Sequence, residues 1–407
     1  MKLVIKRNRS LSVRSFCTSL IYIYILWIPL VNFVKISFMG LPLFSVFFLG
    51  MSCLMFLIVG TYGLVKAKYL YLLLLLQIVF SFISSIYQGF SVPISLYNDF
   101  LYTTPFLLLI ISECFYFDIK KVCRQIQYMT CIAGVISALV YMGVIDTGLN
   151  YKLSITVLDN TIGLLGLAVS LYLIISNINI VFSWITVIMS AMVLLTGQSR
   201  ARTILALVIV FSFILYVLFI KRGKKVKSIA TIAVVMLIIL FFVNKNIDVI
   251  NDYLGFLIGK FEIIGEDSSF EYRITEMKVH FDLFKTNPLW GIGCGVLNSK
   301  FQTSLDSFFY GHNMFTAVLA VNGIFFFIVF MITFVRMIVK VIQRFMLQKS
   351  AENLLILVLA FLLVPLSISS AGFGKPTTHI MMFLIGAVIG SHLGPNSFGL
   401  AYVVKKK

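Results

Sequence analysis

Between short polar breaks the chain runs apolar for about 17 to 25 residues at a time, the length of α-helix that crosses roughly 30 Å of hydrocarbon. Backbone N–H and C=O groups inside lipid have no water to bond, so only helices and closed barrels span it. The alternating ten-residue segments of a barrel are absent, and the runs are read as helices. Composition excludes the alternative of a soluble globule. Hydrophobic residues make up 60% of 407, charged residues only 12%, and the mean hydropathy is +1.03.

The expected fold is therefore an all-α polytopic membrane protein with about twelve transmembrane helices and one long extracytoplasmic loop containing an amphipathic helix. The spans fall near residues 16–34, 42–65, 69–90, 100–117, 125–145, 161–175, 180–195, 203–220, 228–243, 313–335, 354–370 and 377–392. Three parts follow: nine helices in 1–243, the loop 244–310, and three helices with a basic tail in 311–407. The weakest break is "SNIN", residues 176–179. If it only interrupted one helix, every later segment would change sides.

A net charge of +18 would suggest nucleic acid in a soluble protein. Here the cations sort by side. The basic start "MKLVIKRNRSLSVR" precedes an apolar run with no small-residue cleavage site, so it reads as an uncleaved first span with a cytoplasmic amino terminus. Alternation from that start puts about two thirds of the basic residues inside, including "KRGKKVK" and the terminal lysines. The charge is then an orientation signal that leaves both termini cytoplasmic, and no nucleic-acid partner is implied. The short outer loops keep only Lys35, Lys152, Arg200, Arg202 and Lys375. Six cysteines give neither a disulfide framework nor a zinc spacing, and no metal is expected.

In the long loop, "SSFEYRITEMKVHFDLFKTNP" carries helix punctuation: Ser268 and Glu271 as a capping box, Asn287-Pro288 as a stop. Ile274, Met277, Phe281 and Phe284 form an apolar stripe suited to lying on the membrane or on other helices. Arg273, Glu276 and His280 share a neighbouring polar face, with His280 expected at its wet edge. "GIGCGVLN" lacks both the strand-glycine-helix setting and the lysine of a phosphate loop, and reads as a tight turn returning the chain to the membrane.

Arg200 and Arg202, in "LLTGQSRARTILAL", sit on the expected outer side, where the charge rule disfavours them. One reading makes them anchors that snorkel to headgroups. Another has their guanidinium forks hold the phosphate of a lipid-linked substrate, aided by the helix N-terminus that follows. Arg273 suits an ion pair with Glu276 or Glu271. His312, in "YGHNMF", suits either a packing role or proton transfer.

An "SR" ending one span, an outer loop with an arginine heading "R(x)nNPLWGIGCG", and "HN" opening the next span resemble, in that order, the O-antigen ligase and polymerase superfamily of bacterial membrane glycosyltransferases. The resemblance runs over about residues 194–330. It implies catalytic roles for Arg200, Arg273 and His312, with Arg202, Glu276, His280 and Asn313 as substrate-binding candidates. It also implies a glycan on undecaprenyl diphosphate as donor, membrane lipids and a chain-length regulator as partners, no cofactor, and the bacterial inner membrane as location. The expected reaction is inverting, with arginines in place of a divalent metal. Polymerisation of lipid-linked repeats is preferred to ligation onto lipid A core. A transporter or flippase fits less well, because Asp99, Glu113, Asp118, Asp146 and Asp159 lie at or near span ends, away from the bilayer midplane.

Overall fold

Helix is the conformation these apolar runs adopt throughout the computed structural model, which describes residues 2–30, 37–38, 41–61, 68–87, 103–113, 117–142, 144, 161–196, 200–220, 268–293, 313–369 and 375–391. In chain order the helices are α1 (Lys2–Trp27), α2 (Leu43–Thr61), α3 (Lys68–Tyr87), α4 (Thr103–Glu113), α5 (Ile119–Tyr141) and α6 (Thr161–Ile175). Then follow α7 (Ile180–Thr196), α8 (Arg200–Leu215), α9 (Ser268–Thr286), α10 (Met314–Leu347), α11 (Ala351–Ser369) and α12 (Pro376–Gly390). A single turn of 3₁₀ helix extends α1, a π turn Tyr216–Ile220 extends α8, and the only strands among the described residues are the two-residue pair Ser37–Phe38 and Leu41–Pro42. Eleven of these helices coincide with expected spans, and α9 is the helix expected in the loop. The span expected at 228–243 lies outside the described residues. The protein is a multi-pass membrane protein: residues 202–220, 314–347 and 351–368 are each long and apolar enough to cross, and several shorter apolar helices accompany them.

The first helix begins well before its apolar run. Its opening residues are rich in Lys, Arg and Leu, all good helix formers, so hydropathy marked where lipid begins and missed where helix begins. The "SNIN" break is a true reversal. Asn177 and Asn179 adopt positive φ (57° and 45°), which asparagine tolerates. Gly163 on α6 lies against Leu194 on α7, as only an antiparallel hairpin allows.

Every residue of α6 is buried, and so is nearly all of α12, which makes these two helices the centre of the bundle. Close approach there depends on small residues. A Cβ on Gly166 would meet the Thr130 side chain and come within 2.8 Å of Ser190 Oγ. Polar ties join helices far apart in sequence. Tyr24 and the His379 Nδ1 are 2.7 Å apart, with Phe48 stacked on the imidazole. Ser52 bonds Thr104 at 2.7 Å, and Gln127 Nε2 donates to Ser183 Oγ at 2.9 Å. At one end of the bundle Arg344 donates to Asn353 Oδ1, the Ile389 carbonyl and Ser391 Oγ, fastening α10 to α11 and α12. Lys340 pairs with Glu113 at 3.2 Å nearby, and Tyr216 Oη donates to the Lys349 carbonyl.

One span is interrupted. With 34 residues α10 is about 51 Å long, well beyond the hydrocarbon thickness. At Gly323 its backbone leaves the helix (φ 75°, ψ 179°), a conformation essentially restricted to glycine. The groups freed there bond to the turn after α9. Ile292 N–H donates to the Ala320 carbonyl at 3.0 Å, Gly293 N–H to Val321 at 2.9 Å, and Ile324 N–H to Pro288 at 2.9 Å. Gly291 and Gly293 also have positive φ, and a Cβ on Gly291 would strike the Val321 carbonyl.

Gly323→Ala would drive Cβ into the Leu289 carbonyl and impose a backbone conformation that alanine does not adopt. The expected cost exceeds about 3 kcal/mol, read as a large fall in thermal midpoint in detergent. Gly50→Ala is the control: nothing lies within 4 Å of its Cβ position, so the midpoint should hold or rise slightly.

Candidate functional site

The loop helix α9 begins and ends where its punctuation puts it, at Ser268 and before Asn287-Pro288. Its packing reverses the expectation from hydropathy. Glu276 is fully buried and His280 is 2% exposed, while Ile274 and Phe281 of the apolar stripe are 39% and 43% exposed. His280 therefore does not lie at a wet edge. Positions 273, 276, 280 and 283 follow one another at 3, 4 and 3, a single face at helical period. The His280–Thr316 bond and the buried Glu276 show that this face docks on α10. The outward face mixes the exposed Ile274 and Phe281 with Lys278, Asp282 and Lys285, the last two paired at 2.8 Å.

His280 Nδ1 lies 2.9 Å from Thr316 Oγ1. Thr316 in turn donates to the Asn313 carbonyl at 3.1 Å. Asn313 is the N-cap of α10, its Oδ1 accepting from the Phe315 and Thr316 amides at 3.1 and 3.3 Å. That atom is committed to the helix end, so Asn313 keeps only its Nδ2 donors for a substrate.

Arg200 opens α8, and Arg202 lies half-buried in its first turn. The Tyr216 bond to Lys349 sets the C-terminal end of α8 beside the C-terminal end of α10. The two helices thus run the same way, and both start at one end of the bundle. The N-termini of α8 and α10, each with the partial positive charge of a helix start, lie at that end, where His280 of α9 reaches the first turn of α10. Among the described residues Arg202 makes no hydrogen bond or ion pair, in contrast to Arg344 at the opposite end. Arg273 falls within α9, with its side chain outside what is described, and His312 lies outside the described residues. The described parts of the site bring histidine, threonine and asparagine together at the start of α10, a set that orients a hydroxyl.

Sequence reasoning passed over two positions here. Thr316 forms no motif, yet it lies three residues after Asn313, where a side chain returns to the cap. Asn322 is buried, at 3% exposure, and neither its Oδ1 nor its Nδ2 has a hydrogen-bond partner among the described residues. The signal was the Asn-Gly pair inside an apolar span, a breaker that hydropathy averages away.

The O-antigen ligase family model (Wzy_C) matches residues 184–331, from within α7 to just past the break in α10. No curated protein matches the chain. The match covers a little over a third of the sequence and takes in every site residue named above. Residues 184–331 of this chain are thus similar to the O-antigen ligase family. Members of that family are glycan-transferring membrane enzymes of the ligase and polymerase type.

Asn313→Ala should cost about 1 kcal/mol of local stability. Hydrogen exchange at the Phe315 and Thr316 amides should then quicken about five-fold, while Asn313→Asp should hold the wild-type rate.

Proposed function

We propose that the protein polymerises oligosaccharide repeat units carried on undecaprenyl diphosphate at the outer face of the bacterial cytoplasmic membrane, releasing undecaprenyl diphosphate. The observation that carries this reading is Arg202, a half-buried arginine with no partner among the described residues, next to Arg200 in the sequence at a helix N-terminus within the matched segment. A permanent cation held partly out of water at a positive helix end is costly unless an anion completes it. A membrane-bound diphosphate supplies that anion. The positive-inside pattern of the sequence supports an outward-facing site and cytoplasmic termini.

In the reaction an acceptor hydroxyl attacks the anomeric carbon of the donor. The bond from that carbon to the diphosphate oxygen breaks, its electron pair stays with the diphosphate, and the anomeric centre inverts. Arg200 and Arg273 stabilise the charge that develops on the leaving group, with Arg202 binding it before and after. Poor access of water strengthens this interaction. His312 takes the hydroxyl proton. Asn313 offers its Nδ2 donors to a sugar hydroxyl, while the buried Glu276 and His280, expected from the sequence to bind substrate, serve to hold α9 against α10. The arginines do here what a divalent metal does in many sugar transferases.

The acceptor is read as a second lipid-linked unit, since donor and acceptor then share one chemistry and one membrane surface. The family description favours the other reading, transfer to lipid A core. Purified protein given a defined undecaprenyl-diphosphate repeat separates them: a ladder of products is the polymerase result, while transfer only to added lipid A core is the ligase result. Absence of either product would sink the enzyme reading and favour a transporter.

Arg200→Lys keeps the charge and loses the planar fork, so product formation should fall at least about ten-fold with insertion unchanged. His312→Ala should abolish chain growth. Wild-type ladders from either variant would remove that residue from the mechanism.

A further inference from the structure

Helix α9 and the first part of α10 run in the same direction. His280 meets Thr316, and eight residues further along each segment the Pro288 carbonyl meets the Ile324 amide. The turn Pro288–Gly293 is therefore the end of α9 that reaches furthest along α10. Length then sets where the membrane begins. Hydrocarbon takes about 20 residues of helix, and counted back along α10 from Arg344, at the end of the bundle where α12 closes, they reach Ile324 beside the break. Helix α12 ends beside Arg344 and has only 15 residues, so it too stops short of the first part of α10.

The exposed surface changes character at the same level. Before the turn, α9 exposes Lys278, Asp282 and Lys285. At the turn Leu289 is 47% exposed and Trp290 42%, and the indole lies 5.7 Å from the ring of Phe325, itself 53% exposed. Beyond it the open face of α10 continues through Ile328, Val329, Ile332 and Val335, with no charge before Arg336. Arg336 stands about two turns from Arg344, within reach of that surface by snorkelling, and Lys340 is paired with Glu113.

We propose that the turn Pro288–Gly293 is a membrane-docking element: Leu289 and Trp290 pack among phospholipid acyl chains at the hydrocarbon boundary, and α10 before Gly323 stands outside the hydrocarbon together with α9. The occupant is bilayer lipid because the patch is continuous with the apolar stripe that α10, a membrane span, leaves open along its length. Tryptophan is enriched at that boundary, which accommodates an apolar ring and a polar N–H together. The proposal is independent of the glycan-transfer reading. It sets Thr316 and His280 about 12 Å clear of the acyl chains, at 1.5 Å for each residue between Thr316 and Ile324.

The experiment uses the full chain in nanodiscs of defined phospholipid. Trp27 and Trp184 are replaced by Phe, leaving Trp290 as the one indole. Its emission should be blue-shifted, quenched at least about two-fold by lipid brominated near the headgroup end of the acyl chain, and little affected by aqueous iodide. A second protein carries the one indole at Lys285→Trp, with Trp290→Phe added. There iodide should quench and brominated lipid should not, which brackets the boundary between the two positions.

Trp290 quenched by iodide and indifferent to brominated lipid overturns the docking. Lipid quenching at both positions overturns the placement of α9 outside the hydrocarbon. Quenching at Trp290 that disappears on adding undecaprenyl phosphate would reveal a groove for one polyprenyl chain and overturn the assignment to bulk lipid. If the Trp27 and Trp184 replacements prevent insertion, the difference between wild type and Trp290→Phe gives the same readout. None of these outcomes requires transfer activity, so the proposal and the transferase reading fail separately.

Discussion

The structure depends on how a broken helix keeps its backbone satisfied inside the bundle. A gap at Gly323 strands carbonyls on one side and amides on the other, in surroundings where each unpaired group costs several kcal/mol. The turn Pro288–Gly293 supplies the partners in both directions, donating from Ile292 and Gly293 and accepting from Ile324. Neither element can hold its shape there without the other. Three glycines at positive φ make the approach possible, because a side chain at Gly291 or Gly323 would occupy the space of the opposing backbone. The loop helix α9 is thereby fixed to α10 at both ends of their contact, by His280 and Thr316 near the start and by backbone bonds at the break.

That double attachment explains which parts of the chain were legible beforehand. Spans such as Thr161–Ile175 and Pro376–Gly390 were read well because burial on all sides leaves an uninterrupted apolar run. The limits of α9 were legible because serine, glutamate, asparagine and proline act on their own backbone, within a turn of where they stand. The burial of Glu276 and His280 was not. Helical periodicity put them together on one face, but which face meets protein depends on what lies across from it. In a membrane protein the apolar face has lipid as a second option, so the soluble-protein rule of apolar inside fails. Asn322 and Gly323 were illegible for a related reason. Two residues scarcely lower the mean hydropathy of a 34-residue helix, although they decide its geometry.

The two ends of the bundle use cations differently. At the end bearing Lys340 and Arg344, charges are consumed by structure. Arg344 spends its donors on Asn353, on Ser391 and on the Ile389 carbonyl, an orphan of the last turn of α12. Asn353 Nδ2 in turn donates to the Gln348 carbonyl at 2.7 Å, closing the α10 to α11 turn. Helix C-termini carry partial negative charge, so arginine belongs there on electrostatic grounds alone. At the opposite end helix N-termini carry the other sign, and Arg200 and Arg202 add positive charge to a place already positive. The dipole that explains Arg344 argues against Arg202, and stability therefore gives no reason for it.

The same contrast bears on why the candidate site is assembled from helix starts. An anion that gains charge during reaction needs donors already aimed at it, because reorienting them at the moment of reaction would forfeit most of their value. Helix N-termini are mounted on packed helices behind them, and a cap such as Asn313 fixes the first turn further. A bundle that places the starts of α8 and α10 at one end provides oriented amides and rigid mounts for arginine forks together. The break in α10 then has a structural logic beyond its own hydrogen bonds. It lets the chain after α9 enter the bundle and pin that helix's polar stripe against the start of α10, so that a segment with the sequence of a loop is held as firmly as a span.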